Sequence, residues 1–268
     1  MRFGIEAGEH TMTLANELSF NGVPINGHDL VGDGDPVTPL RDAGLDVCQI
    51  GMFDFNPMPD GADDGRLREV IAAAAGTGCR HIVVGPGNYN AEGAGFAAYD
   101  PRNRTDDALD RMAGALRPLC ELVEKHDALL CIEAYLKGVV YSADSFSRLA
   151  EKVASPALRC NVDPSSLYDF ADVIDPAAKV AETCDGLAGR YGVVHLKEVG
   201  LDDGFHLHMG LKPIGAGTTD WKQMLSLVNR HAAADDWLIV EHVGGLEEGR
   251  RSYALITEAA EQVGLALA

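Results

Sequence analysis

The chain is poor in positive charge. Its 268 residues include 22 Lys and Arg against 41 Asp and Glu, a formal net charge of −19. Nucleic-acid binding rests largely on Lys and Arg neutralising phosphates, so this balance excludes it, and an anionic membrane surface is disfavoured for the same reason. No apolar run is long enough to span a bilayer, and Met1-Arg-Phe-Gly-Ile-Glu6 opens on a strand pattern with no signal-peptide core. No two of the six cysteines (48, 79, 120, 131, 160, 184) form a C-x-x-C pair, and Cys131 and Cys160 lie inside apolar runs. That excludes a disulfide framework and predicts buried, reduced thiols in a cytoplasmic protein. Linkers and low-complexity blocks are also missing, so residues 1–268 are read as one domain.

What is present is alternation. Strand-like runs cover Phe3–Ala7, Gly22–Asn26, Asp46–Phe53, His81–Val84, Ala128–Ala134, Leu158–Val162, Gly192–Leu196 and Trp237–Val240. Helical patterns separate them, for example the alanine-rich Gly65–Ala75 and the segment capped by Thr105-Asp-Asp that runs to about His126. Residues 169–187 read as mainly helical with a break near Pro176, and 199–218 read as a long loop. Eight strand signals alternating with helices predict an α/β fold, a single-domain (β/α)8 TIM barrel. The competitor is an open doubly wound sheet, which usually carries a glycine-rich turn after its first strand. Here the first strand leads into Ala7-Gly-Glu-His-Thr, with no G-x-G-x-x-G.

Four of the apolar runs end on a side chain that can bind metal. Leu129-Leu-Cys-Ile ends on Glu133, Leu158-Arg-Cys-Asn-Val on Asp163, Val193-Val on His195 and Leu238-Ile-Val on Glu241. Pro164, which lacks an N–H, stops the strand just after Asp163. In a parallel barrel the carboxyl ends ring one mouth. Three carboxylates and an imidazole there make a hard, oxygen-rich site, suited to one divalent cation, Mn²⁺ first and Mg²⁺ or Co²⁺ also, with positions left for substrate or water. Singly, each residue has a plainer explanation: a paired glutamate, an Asp-Pro turn, a core histidine. Four at four successive strand ends favour a shared centre.

The runs CIEAY, NVDPSSLYD and VVHLKE and the turn PIGAGTTDW resemble the xylose isomerase-like TIM barrels, a superfamily of sugar isomerases, epimerases, dehydratases and the endonuclease IV group. The resemblance covers most of the chain and is strongest over about 100–245. It implies that Glu133, Asp163, His195 and Glu241 are metal ligands and that Glu133 and Glu241 are also the catalytic acid and base. Two positions depart from the epimerase pattern. Ser166 stands where a histidine is common, and Val199-Gly-Leu-Asp202 lacks the arginine often found after the strand-seven histidine. Both positions touch substrate in those epimerases, so no particular specificity transfers. Strand three ends near Gln49 and Gly51, without the extra histidines that a three-zinc repair nuclease needs.

These groups suit a metal-dependent sugar isomerase or epimerase. The cation polarises a keto-sugar carbonyl, one carboxylate removes the α-proton, and the enediolate is reprotonated from the other face or at the neighbouring carbon. Expulsion of a β-substituent from the same enediolate gives the alternative, a lyase or dehydratase on a keto sugar, inosose or oxidised glycoside. Candidate substrate contacts are Lys197, on the same strand face as His195, with Ser166, His206, His208, Asn88 and His10. Trp221 is read as a packing residue. The expected partner is a small, non-phosphorylated carbohydrate, and a homo-oligomer is compatible with the sequence.

Overall fold

The computed structural model describes residues 1–90, 92 and 98–268. Eight parallel strands close into a barrel: β1 (Arg2–Ile5), β2 (Gly22–Asn26), β3 (Asp46–Met52), β4 (His81–Val84), β5 (Leu129–Glu133), β6 (Leu158–Val162), β7 (Tyr191–Leu196) and β10 (Trp237–Val240). The order around it is β1-β10-β7-β6-β5-β4-β3-β2. The expected (β/α)8 architecture is therefore the one that forms. By its internal contacts the chain gathers into two compact units, residues 1–23 with 162–268, and residues 24–161.

In the first unit β10 lies between β1 and β7. Arg2 pairs with Trp237 and Ile5 with Val240, while Ile239 pairs with His195 and Val240 with Leu196. All four residues of β10 and all six of β7 are buried, which explains why these strands read as continuous apolar runs rather than alternating ones. The helices are α1 (Thr11–Glu17), α7 (Phe170–Ile174), α8 (Ala177–Gly186), α9 (Trp221–His231) and α10 (Leu246–Gln262). Pro176 precedes α8 directly, the break expected there. The Asp220 carboxylate caps α9, accepting from the amides of Lys222 and Gln223 at 3.0 Å each. Trp221, Met224, Leu225 and Val228 give α9 one buried stripe.

The expected loop 199–218 holds more structure than its sequence suggests. β8 (Glu198–Leu201) and β9 (Met209–Lys212) form an antiparallel hairpin, with Val199 opposite Leu211 and Leu201 opposite Met209. Each strand is only four residues long, and glycines at 200 and 210 face each other, so neither strand carries a readable alternation.

The second unit carries β3, β4, β5 and most of β6. Gly51 pairs with Val83, Val83 with Cys131, and Glu133 with Asn161. Its helices are α2 (Gly27–Leu30), α3 (Thr38–Asp42), α4 (Gly65–Ala74), α5 (Asp106–Lys125) and α6 (Ala143–Val153). Thr105 Oγ1 accepts from the Ala108 amide at 3.2 Å, and Asp106 and Asp107 sit in the first turn of α5, where negative charge is favoured. Leu109, Met112, Leu116, Leu119 and Val123 form its buried face. All six cysteines are buried thiols outside any disulfide. Among the described residues no helix is long and apolar enough to cross a membrane.

Candidate metal centre

Asp163 is held with little freedom. It follows β6 directly, and Pro164 opens a single 3₁₀ turn, Pro164–Leu167, over which Asp163 acts as the cap. Its Oδ1 accepts from the amides of Ser165 at 3.1 Å and Ser166 at 3.3 Å and from Ser165 Oγ at 2.6 Å. Its Oδ2 accepts from Ser166 Oγ at 2.8 Å. The Asp-Pro-Ser-Ser sequence thus immobilises one carboxylate on a buried turn.

β7 supplies two further groups. His195 is fully buried, and its Nδ1 lies 3.0 Å from Glu241 Oε1, at the end of β10. Lys197, two residues on and so on the same side of an extended chain, places Nζ 2.5 Å from Asp163 Oδ2 and 3.8 Å from Glu241 Oε2. Nζ also donates to Ser166 Oγ at 3.0 Å. Two acids, an imidazole and an ammonium therefore share one small region of the first unit, and the Asp163 side chain is 1% exposed there. Directly after Glu241 the backbone enters the left-handed region at His242, φ +55°. Turning the chain at that point separates Glu241 from the following Val243, whose amide donates to Glu6 Oε1.

Sequence reasoning missed Glu198, which follows Lys197 and is 1% exposed. Its Oε2 accepts from Trp221 Nε1 at 3.0 Å and the Gly215 amide at 3.2 Å. Its Oε1 accepts from Thr219 Oγ1 at 2.5 Å and the Thr219 amide at 3.3 Å. One carboxylate thus ties the 213–221 turn to the strand that carries His195 and Lys197. Gly217 is required there, because a Cβ on it would lie 2.5 Å from Glu198 Oε1. Trp221 is packed as expected, at 5% exposure, but it also anchors this carboxylate. Burial pushes the hydroxyl of nearby Tyr168 well above the ordinary phenol range, with a hydrogen bond to Thr219 opposing it. The sequence signal for Glu198 was its place at the end of the VVHLKE run, which carried the family resemblance but no role for this residue.

In the second unit, Glu133 ends β5 and is buried. Asn161, its partner across the ladder, donates from Nδ2 to Glu133 Oε2 at 2.9 Å. Asn88 is also fully buried and organises its own loop. Its Oδ1 accepts from the Asn90 amide and Asn103 Nδ2, its Nδ2 donates to the Ala98 carbonyl, and it exchanges two backbone bonds with the Asn56 side chain. In the first unit, His10 lines a cavity of about 160 Å³ with Glu6, Glu9, Val243 and Gly244. His206 and His208 stand in the exposed connection between β8 and β9, where His208 Nδ1 pairs with Asp202. The structure therefore brings Asp163, Ser166, His195, Lys197 and Glu241 together, and it gives Asn88 and His208 partners within their own loops.

No curated protein sequence matches this chain. Among solved structures, similar folds include a xylose isomerase-like TIM barrel protein from Mycobacterium smegmatis in complex with magnesium, at 16% identity, with 95% of this chain and 88% of that one covered and a TM-score of 0.68. A probable 3-DHS dehydratase from Bacillus anthracis shares 14% identity over 96% of this chain and 99% of its own, with a TM-score of 0.68. The 3-keto-D-glucoside 4-epimerase of E. coli shares 16% over 99% and 100%, with a TM-score of 0.66. At such identities the likeness is one of fold. Residues 17–259, most of the chain, match the family described as xylose isomerase-like TIM barrel, and the chain belongs to that family.

Proposed function

We propose that this protein is a divalent-metal-dependent isomerase or epimerase of a keto sugar or related small carbohydrate. The observation that carries the reading is the meeting of the buried Asp163 and His195 with the part-buried Glu241, with the Lys197 ammonium among them. Carboxylates gathered out of water repel one another unless a cation lies among them. We infer that Glu133, Asp163 and His195 hold that cation, with Glu241 as the fourth ligand. The donor set fits a hard or borderline divalent ion such as Mn²⁺, Mg²⁺ or Co²⁺. The solved relative in complex with magnesium supports this choice of ion class.

A bound divalent ion supplies Lewis-acid polarisation of the substrate carbonyl. The chain's own residues do the rest. One of Glu133 and Glu241 takes the α-proton and the other returns a proton to the opposite face, or to the adjacent carbon for isomerisation. His195, buried and paired through Nδ1 with Glu241, keeps that carboxylate oriented. Asn161 does the same for Glu133. Lys197, Ser166, Asn88 and His10, with the hairpin histidines 206 and 208, are the proposed substrate contacts.

A second reading, lyase or dehydratase chemistry, is favoured by one feature. Ser166 is bound to Asp163 and Lys197, where related epimerases present a histidine to substrate. The solved dehydratase of the same fold is consistent with it. One experiment separates the two: metal-loaded protein is incubated with a panel of keto sugars in D₂O and followed by NMR. Deuterium at the α-carbon of an intact ketose supports the first reading. An unsaturated or deglycosylated product supports the second. Exchange into no ketose or aldose, with metal present, overturns the first.

A further inference from the structure

Asp163 has no oxygen open to a metal ion. A carboxylate offers about four lone-pair sites, and this one receives five donors. The Ser165 amide, the Ser166 amide and Ser165 Oγ fill Oδ1, and Ser166 Oγ and Lys197 Nζ fill Oδ2. A cation needs one of these sites vacated. The two amides are fixed by the 3₁₀ turn, and the two hydroxyls are uncharged. Lys197 Nζ is the donor that repels an incoming cation, and it is also the one on a long flexible stem. Two acceptors already lie near it, Ser166 Oγ at 3.0 Å and Glu241 Oε2 at 3.8 Å. Rotation about the lysine stem would carry Nζ from Asp163 toward Glu241.

We propose that Lys197 is an internal competitor for the metal: its ammonium closes Asp163 until a divalent ion displaces it, and the displaced ammonium becomes a substrate contact. The inference rests on the metal-centre reading above and concerns how that site is filled. It makes metal loading and the delivery of Lys197 a single event, so a substrate oxygen meets the ammonium only in the loaded protein. Ser166 is part of the device. Its hydroxyl donates to Asp163 Oδ2 and accepts from Nζ, so it bridges the two.

The test measures metal binding rather than turnover. Mn²⁺ titrations by calorimetry, and Co²⁺ titrations followed by visible absorption, are compared for wild type, Lys197→Met and Lys197→Arg. Lys197→Met is expected to bind Mn²⁺ about tenfold or more tightly than wild type, because the competitor is gone and its charge repulsion with it. Lys197→Arg keeps a cation at the position and is expected to stay within about threefold of wild type. Metal-free Lys197→Met should melt below metal-free wild type, and saturating Mn²⁺ should raise its melting temperature by more than it raises the wild type's. Equal or weaker binding by Lys197→Met, with wild type binding normally, overturns the proposal and leaves the metal centre standing. If neither protein takes up a divalent ion, the metal-centre reading fails and the proposal falls with it. If Lys197→Met does not fold, tighter binding must be shown by Lys197→Gln, and its absence there overturns the proposal equally.

Discussion

The segment after β4 and the segments after β6, β7 and β10 all follow barrel strands, yet their buried ties differ in chemistry. Among the described residues after β4, the buried ties are neutral amides: Asn56, Asn88 and Asn103 bond one another and the backbone, and Asn103 also donates to the Lys137 carbonyl at 2.9 Å, while the charged Asp100–Arg102 pair lies at the surface. After β6, β7 and β10 the ties are charged: Asp163 with Lys197, His195 with Glu241, and Glu198 with the 213–221 turn. A network of neutral amides, once satisfied, has no reason to change partners. A network of charges can exchange a proton or accept a cation, at the cost of being strongly destabilised when one member is lost. The difference separates a buried neutral net around Asn88 from a charged cluster able to do chemistry.

The largest effect should come from the proposed acid and base. Glu133→Gln and Glu241→Gln keep size and hydrogen bonding but cannot take a proton at neutral pH. Each is expected to lower exchange of the α-proton by about 10²–10⁴-fold. Asn103→Ala, in the neutral net, is expected to leave turnover within about threefold at temperatures where the protein is folded. If Asn103→Ala cut turnover as deeply as Glu241→Gln, the loop after β4 would belong to the reacting site and the contrast would fail.

Both the legible and the illegible parts of the sequence follow from this contrast. Barrel strands were readable because burial on both faces demands unbroken runs such as Leu129-Leu-Cys-Ile and Leu238-Ile-Val. Asp163, His195 and Glu241 were readable because a charge that ends such a run stands out. Lys197 was read onto the same strand face as His195 by the two-residue period of extended chain, and both side chains lie near the Glu241 carboxylate. That Lys197 would pair with Asp163 was not predicted, because a contact between residues 34 positions apart leaves no local trace, and Ser166 was read as a departure from the epimerase pattern and a candidate substrate contact. Glu198 was passed over because its meaning lies in the amides and indole that surround it. The β8–β9 hairpin was missed because four-residue strands with facing glycines have no pattern to detect.

A middle-sized effect separates shape from chemistry within the charged region itself. Glu198→Ala removes the acceptor of two amides, a hydroxyl and an indole N–H, all in a buried turn. The expected loss is about 3 kcal/mol or more of stability. Gly217→Ala should act through the same carboxylate and cost about 1–3 kcal/mol, since its Cβ would lie 2.5 Å from Glu198 Oε1 and force a shift. Chemical denaturation of the three proteins checks both values. A double variant that costs no more than Glu198→Ala alone would show that the glycine is needed only for the glutamate's approach.

The smallest effect concerns the hairpin, and it decides whether His206 and His208 belong with the charged region. Asp202 accepts from Lys212 Nζ at 2.6 Å and pairs with His208 Nδ1, and its amide donates to the His208 carbonyl at 2.8 Å. The hydrogen bond from Lys212, with a smaller contribution from His208, holds its carboxyl below the ordinary value of 3.8. A depressed folded-state pKa means the carboxylate stabilises the hairpin above the unfolded value, and this is lost as pH falls through the folded one. The group is solvent-exposed, so screening keeps the contribution small. Asp202→Asn should therefore lower stability slightly at neutral pH and flatten the acid limb of the stability curve below pH 4. His208→Ala at neutral pH then asks the functional question, because the hairpin's β-pairing survives it. A rise in KM with kcat unchanged would make the hairpin a substrate contact, whereas unchanged KM and kcat would leave it a solvated appendage outside the charged cluster.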